Sequence, residues 1–135
     1  MGDEAEGEFE KWAEQQQLGY VRLGLNRPPL AVHLLPTRLR YLPDYLLSKN
    51  FVEVQGVGRD QTVKVKIEKY NSLRYWNDLH EVRFFIWDRT NERTAIFPLG
   101  LFDGLLGAGK GTLGAFSEGK AWFGFRADDL IEAAP

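Results

Sequence analysis

The chain of 135 residues is 44% hydrophobic and 27% charged, a composition typical of one globular domain, here spanning residues 1–135, with an ordinary core. It contains no cysteine, which excludes disulfide frameworks, thiol nucleophiles and thiolate metal sites. The net charge of −2 excludes a strongly cationic protein of the kind that coats nucleic acid.

The amino-terminal segment accounts for this acidity. Six of the 19 acidic residues but only one of the 17 basic residues lie in residues 1–14, so the rest of the chain is mildly basic and compatible with phosphate contacts. The segment lacks the apolar stretch of a signal peptide, and no apolar run in the sequence is long enough to span a membrane. Together with the absence of cysteine, these features favour a cytoplasmic protein without a membrane partner.

The first predicted element is a helix over residues 3–17, with acidic residues in its first turn. Phe9 and Trp12 lie at helical spacing and define a narrow apolar stripe. Glu8 lies one turn before Trp12 at the edge of that stripe, and Glu10 follows it. The simplest interpretation of these acids is a solvated face of the helix.

Two apolar runs follow this helix. We predict an extended segment or short strand over residues 18–25 and a strand over residues 30–35. The tandem prolines Pro28 and Pro29 lie between the runs and stop any helix there. His33 lies alone in the second run and is interpreted as a core or edge histidine rather than a metal ligand.

The next two predicted strands, residues 38–47 and 51–55, are joined by a tight polar turn. If the residues that flank the turn pair directly, the antiparallel register places Asp44 opposite Glu53 on one face, within about 6 Å at the backbone. A three-residue loop centred on Lys49 would instead put the two acids on opposite faces. Opposed carboxylates destabilise a sheet unless a cation offsets their repulsion, and Mg²⁺ is the usual cation for carboxylate oxygens.

A helix is predicted next. Residues 63–67 alternate like a strand, but helical spacing continues from Val63 to Asp78 without glycine or proline, so we predict about four turns of helix. Lys66 lies at the margin of its apolar stripe, where the stem can follow the core and the amine can reach the sheet edge. The alternative is a surface lysine with no role in a site.

The carboxyl-terminal half begins with the clearest strand, residues 81–87, whose apolar run indicates a central parallel strand reached through a helix. A hairpin leads to a further strand over residues 93–99. Residues 104–112 match the spacing of a phosphate-binding loop, but no helix follows, so we interpret them as a flexible glycine-rich loop. A strand over residues 120–125 and a short helix over residues 127–134 complete the chain.

Two short motifs on the predicted hairpin resemble those of a known enzyme superfamily. Pro43-Asp44 and then Glu53-Val54-Gln55 resemble the motif of the PD-(D/E)XK nucleases, with Gln55 in the lysine position. The order helix, three strands, helix, strand also resembles the αβββαβ core of that superfamily. The resemblance implies an α/β (α+β), restriction-endonuclease-like fold with a mixed central sheet flanked by helices, plus extra carboxyl-terminal strands and a short helix.

The resemblance also implies a metal-dependent DNA endonuclease, a hydrolase of phosphodiester bonds that uses Mg²⁺ or, in its place, Mn²⁺. By this likeness Asp44, Glu53 and the backbone carbonyl of Val54 would hold the metal. Many members of the superfamily add a glutamate from the first helix near the metal. Glu8 or Glu10 would be that residue here.

The same resemblance assigns the remaining catalytic roles. Gln55 would orient the attacking water, and Lys66 would replace the lysine that is missing at position 55. DNA is the partner that the resemblance implies. The sequence gives no oligomeric state, but nucleases of this size often act as dimers, so a homodimer is left open.

Two alternatives stand beside the nuclease interpretation. In one, the substitution of Gln55 for lysine marks lost catalysis, and the same fold binds nucleic acid or a protein partner. In the other, the chain is a small α/β domain of unrelated function, and the two short motifs arise by chance.

Overall fold

The computed structural model describes residues 2–23 and 35–135. In chain order the described elements are α1 (Gly2–Gln15), β1 (Val21–Arg22), α2 (Thr37–Arg40), β2 (Tyr45–Leu46), β3 (Phe51–Gly56), β4 (Thr62–Lys66), α3 (Ile67–Leu79), β5 (Val82–Asp88), β6 (Arg93–Pro98), α4 (Gly100–Gly107), β7 (Gly111–Ala115), β8 (Ala121–Arg126) and α5 (Ala127–Ala133). No helix among these residues is both long and apolar enough to cross a bilayer.

Within the described residues, the main sheet has five strands in the order β1-β2-β3-β5-β6. β3 and β5 run parallel, as the apolar run of β5 predicts, while the other neighbouring pairs are antiparallel. Helix α3 lies in the crossover between the two parallel strands. The chain therefore has the mixed α/β architecture that the sequence predicts, with a mixed central sheet flanked by helices.

Helix α1 covers one face of this sheet. Its buried residues Ala5, Phe9 and Ala13 recur at helical spacing and are each 0% exposed. They belong to one apolar cluster with strand residues that point to the same face, namely Tyr45, Leu47, Val52, Val54 and Phe85. The cluster fixes the position of α1 over β2 and β3.

The larger core lies on the opposite face of the main sheet. Here α3, α4, α5 and a second sheet of order β4-β8-β7 pack against β5 and β6. Phe84 and Phe102 lie at the centre, with ring centroids 4.8 Å apart in an edge-to-face arrangement. Glu53 alternates with Val52 and Val54 along β3, so its side chain points away from α1 and toward this second layer.

Three predictions about local structure are wrong. Residues 38–47 are not one strand, because α2 occupies their first part and only Tyr45–Leu46 pairs as β2. Residues 62–66 form strand β4, and the helix begins only at Ile67. These residues form a strand rather than a helix because Val63 and Val65 are buried against the core and β4 pairs with β8, which is distant in sequence.

The predicted glycine-rich loop is the third error. Most of it is helix α4 followed by β7, since Phe102 and Leu105 bury one side of α4 in the larger core. The helix ends at Gly107, Gly109 follows with a φ of +72°, and the Lys110 N–H donates back to the Leu105 carbonyl at 2.9 Å. The predicted strand over residues 30–35, with His33, lies almost entirely outside the described residues.

Candidate active site

The two predicted carboxylates lie one residue beyond the paired part of β2 and β3. Tyr45 pairs with Val52 in the antiparallel register, and the next opposed positions are Asp44 and Glu53. An oxygen of the Asp44 carboxylate accepts a hydrogen bond from the Val54 N–H at 2.8 Å. The register is the one predicted from the turn, and it sets the two acids side by side.

A lysine from helix α3 completes this cluster. The Nζ atom of Lys69 lies 2.5 Å from Oε2 of Glu53, whose side chain is 5% exposed. Lys69 is in the first turn of α3, which begins at Ile67 directly after β4. From this position the lysine reaches a buried carboxylate of β3.

Burial and mutual repulsion shape the charge of this cluster. Burial, followed by the charge of Glu53, raises the pKa of Asp44 to about 7, although the Val54 N–H and the Lys69 ammonium oppose the shift. Burial also raises the pKa of Glu53, against the lowering effect of Lys69. Burial alone would lower the pKa of Lys69, but Glu53 and then Asp44 outweigh it and raise that pKa. The buried carboxylates of Asp44 and Glu53 thus both interact with the ammonium group of Lys69.

The fold of the chain is that of known nucleases. It is similar to Hjc, a Holliday junction resolvase from the archaeal hyperthermophile Archaeoglobus fulgidus, with a TM-score of 0.59 and 10% sequence identity over 99% of this chain and 89% of the resolvase chain. It is also similar to a nuclease from a fusselovirus, with a TM-score of 0.51 and 10% identity over 93% of this chain and 82% of that chain. Comparison of the sequence with protein-family models and with curated proteins gives no match. The likeness to these two proteins is one of fold.

The first helix contributes Glu6 to the site rather than the predicted Glu8. Burial, and then the charge of Asp44, raises the pKa of Glu6, while the charge of Glu6 in turn raises the pKa of Glu53. Glu6 also forms an ion pair with Arg22. Glu8 instead pairs with Lys11 at 3.4 Å on the exposed side of the helix. The buried stripe of α1 includes Ala5, which brings Glu6 rather than Glu8 beside the carboxylate pair.

Glu10, the other candidate on α1, has a different partner. Its carboxylate accepts hydrogen bonds from the hydroxyl groups of Tyr45 at 2.5 Å and Tyr20 at 3.3 Å. Tyr45 is fully buried, so this contact anchors α1 to β2. The structure therefore gives Glu10 a structural contact beside the site rather than a place within the carboxylate cluster.

Lys66 does not lie in the cluster. As the last residue of β4, it faces outward, with its Nζ atom 3.9 Å from Glu118 and 5.6 Å from the centre of the Phe116 ring. The predicted role of Lys66 fails because the helix starts at Ile67, which moves the lysine position of the first turn to Lys69. A helix start placed after the Val63–Val65 alternation would have identified Lys69 from the sequence.

Gln55 lies on the same side of β3 as Glu53 by alternation, one pleat further along the strand. Its Nε2 atom donates to the Lys64 carbonyl at 2.8 Å, which ties the end of β3 to β4. Its buried Oε1 atom has no hydrogen-bond partner among the residues that the structure describes. The Nε2 atom of Gln55 is thus held by a hydrogen bond to the backbone, whereas its Oε1 atom can still accept one.

The Val54 carbonyl points to the edge of β3 that faces Asp44. The N–H and C=O groups of one strand residue point to the same side, and the Val54 N–H points to Asp44. Within residues 2–23 and 35–135, no group of three or more histidine, aspartate or glutamate side chains forms a ready metal cage. The available oxygen donors are therefore two side chains and one backbone carbonyl, with Glu6 nearby.

Proposed function

We propose that the chain is a metal-dependent nuclease that hydrolyses phosphodiester bonds in DNA. The observation that supports this most directly is the cluster of Asp44, Glu53 and Lys69, in which Lys69 contacts Glu53 at 2.5 Å. The nuclease fold supports the same activity independently of these side chains. A fold alone does not fix a function, so the proposal depends on the chemistry of the cluster.

The donor set fits a hard divalent cation. Burial, and then the charge of Glu53, raises the pKa of Asp44 to about 7, and Lys69 contacts Glu53 directly. Mg²⁺, or Mn²⁺ in its place, would be held by the two carboxylates and the Val54 carbonyl and would keep several waters. Such an ion lowers the pKa of a bound water and offsets charge on the phosphate.

The residues of this chain supply the remaining groups. The Lys69 ammonium is held at the buried end of the cluster, where it can orient a nucleophilic water or offset charge that develops on the phosphate. The free Oε1 atom of Gln55 can accept a hydrogen bond from a water on the same face of β3. Glu6 adds a third carboxylate at the α1 side of the cluster.

Cleavage assays test this proposal. Labelled linear and branched DNA would be incubated with Mg²⁺ or Mn²⁺ and with the wild type, Asp44→Ala or the control Asp78→Ala, which alters an exposed aspartate of α3. We expect cleavage by the wild type and by the control, and its loss in Asp44→Ala. Absence of cleavage with either metal, in a folded wild type, would contradict the proposal.

A second candidate is a nuclease-fold protein that binds nucleic acid or a protein without cutting it. Its specific support is Gln55, which occupies the lysine position of the motif and is held by the Lys64 carbonyl. Metal binding separates the two candidates. An active site should bind Mn²⁺ and lose it when Glu53 is changed to Gln, whereas an inactive one should bind no Mn²⁺ in either form.

A further inference from the structure

The outer face of the second sheet carries features that the proposed catalysis does not use. One side of this sheet supplies Val63, Val65 and Phe125 to the larger core. On the other side, the register pairs Lys66 with Trp122. This outer side therefore presents cationic and aromatic side chains together, beside the site rather than within it.

Trp122 lies close against the backbone of its own sheet. A Cβ atom added to Gly124 would come within 2.7 Å of the indole, and one added to the facing Gly114 would overlap it. The two glycines thus leave room for the indole to lie over the strands. Trp122 is only partly buried in this position, so part of its ring remains open to a ligand.

Two lysines flank the aromatic rings. Lys64 Nζ lies 4.9 Å from the centre of the Trp122 ring, and Lys66 Nζ lies 5.6 Å from the centre of the Phe116 ring. The two ring centroids are 6.2 Å apart. We name Lys64, Lys66, Phe116 and Trp122 the platform.

The ion pairs of these lysines are weak. Lys64 lies 3.8 Å from Asp60, and Lys66 lies 3.9 Å from Glu118, and all four side chains are at least 36% exposed. Exposed pairs at this distance contribute little free energy. A phosphate group, which accepts stronger charge-assisted hydrogen bonds, can therefore replace either carboxylate as the partner.

The platform lies next to the end of β3, the strand that carries Glu53. A surface depression lined by Gln55, Gly56, Asp60, Lys64 and Phe116 joins the end of β3 to the platform. The hydrogen bond from Gln55 to the Lys64 carbonyl holds these two regions together. A nucleic-acid strand in this depression would contact Gln55, Lys64 and the Phe116 ring.

We propose that the platform binds an unpaired segment of a nucleic-acid strand, with a base stacked on Trp122 and phosphates paired with Lys64 and Lys66. The inference extends the proposed nuclease function by naming its substrate class, a strand with unpaired bases next to the cleavage site. Aromatic stacking combined with lysine contacts is the usual chemistry of single-strand binding and does not depend on sequence. A continuous duplex cannot supply this contact, because its base faces are already stacked.

Binding measurements in EDTA, where no cleavage occurs, test the platform directly. A labelled single-stranded oligonucleotide and a fully paired duplex of the same length would be titrated with the wild type, Trp122→Leu and the Lys64→Gln/Lys66→Gln double variant. We expect Trp122→Leu to weaken single-strand binding about tenfold, while duplex binding changes less than twofold. The double variant should reduce the slope of log affinity against log salt concentration by about 1.4.

Two matched controls test whether the effect is local. Tyr75→Leu removes an aromatic ring elsewhere on the protein that also has a cation close to it, since the Arg38 guanidinium lies 3.9 Å from its centre. Lys11→Gln removes a lysine elsewhere that also forms a weak exposed ion pair. Neither control should change single-strand affinity more than twofold. If Trp122→Leu does not fold, as judged by thermal unfolding, Trp122→Phe and the lysine double variant decide the question.

The outcomes separate the platform from the proposed function. If the wild type cleaves DNA but the folded platform variants bind single strands as tightly as it does, the platform is refuted and the nuclease proposal stands. If no DNA is cleaved but single-strand binding depends on Trp122, the platform stands and the nuclease proposal fails. Failure of the wild type to bind any single strand, or equal losses in the controls, would also refute the platform.

Discussion

The ammonium group of Lys69 contacts the carboxylate of Glu53 at 2.5 Å, although one residue lies in α3 and the other in the central strand β3. Glu53 is only 4% exposed, so this contact joins two elements through a buried charge. Lys69 thus supplies from the helix the positive charge that Gln55 cannot supply from the strand. The first predictions below concern this contact between Lys69 and Glu53.

Replacement of Lys69 by methionine should affect both stability and cleavage. The substitution leaves Glu53 buried without its cation, which should cost about 3–5 kcal/mol of unfolding free energy. Loss of the ammonium group should also lower the single-turnover cleavage rate by about 10²-fold or more. Urea unfolding and a cleavage time course would measure the two effects.

Lys66→Met is the matched control for Lys69→Met. Lys66 pairs with Glu118 only at 3.9 Å on the exposed surface, so its loss should change the unfolding free energy by less than about 0.5 kcal/mol. The double variant Glu53→Gln/Lys69→Met should be more stable than Lys69→Met, because it also removes the unpaired carboxylate. Equal losses of stability in the two single lysine variants would contradict the assigned contact.

Asp44→Asn should stabilise the metal-free protein at alkaline pH. The folded-state pKa of Asp44, about 7, lies above its ordinary value of 3.8, so its contribution to stability is present below pH 3.8 and is lost as the pH rises to about 7. At pH 8 the asparagine avoids this loss, and we expect a gain of about 1–2 kcal/mol. Thermal unfolding in EDTA at pH 4 and pH 8 would measure it.

The pH dependence is the decisive part of this test. At pH 4 Asp44 is already protonated in the folded state, so Asp44→Asn should leave stability nearly unchanged there. The same variant should have no cleavage activity, which would show that the site sacrifices stability for function. A variant that is destabilised equally at both pH values would contradict the raised pKa of Asp44, which burial and then the charge of Glu53 produce.

Glu6→Gln should weaken metal binding, whereas Glu8→Gln should not. Glu6 and Asp44 are close enough for the charge of Asp44 to raise the pKa of Glu6, while Glu8 faces Lys11. We expect about a tenfold loss of Mn²⁺ affinity in Glu6→Gln, the size typical of residues that support metal ligands. Titration calorimetry with Mn²⁺ would measure both variants, and a larger loss in Glu8→Gln would reverse the assignment.

Asp88 should show the opposite pH dependence from Asp44. Burial would raise the pKa of Asp88, but hydrogen bonds from Asn91, Gln61 and Arg93 outweigh it and lower the pKa to about 2. The stability that Asp88 contributes is therefore present above pH 3.8 and is lost as the pH falls toward 2. Asp88→Asn should cost about 2 kcal/mol at pH 7 and less at pH 3.

This network ties the β3–β4 connection to the end of β5. Arg93 donates to Asp88 at 2.7 Å and to Asp128 at 2.6 Å, so the network also reaches α5. Asp128→Asn alters only its exposed end and serves as the control, with an expected loss below about 0.5 kcal/mol. Urea unfolding at the two pH values would compare the variants, and equal losses at pH 7 would show that burial of Asp88 is unimportant.

Features that depend on neighbouring residues could be predicted from the sequence. Alternation along β3 and a tight turn are local properties, so the pattern gave the opposition of Asp44 and Glu53 as one of two possible registers, and the structure has this one. The parallel central strand followed from the apolar run of residues 81–87 for the same reason. These two features led from the sequence to the nuclease fold.

Which charged groups lie beside Asp44 and Glu53 depends on contacts between segments that are distant in sequence. β4 is a strand because it pairs with β8, about sixty residues later, and this long-range pairing moved the start of α3 and replaced Lys66 with Lys69. Glu6 replaced Glu8 because packing of α1 on the sheet fixed its rotation, which the spacing of acids along a helix does not specify. Local pattern sets the direction of a side chain, but packing between distant segments sets which side chains it meets.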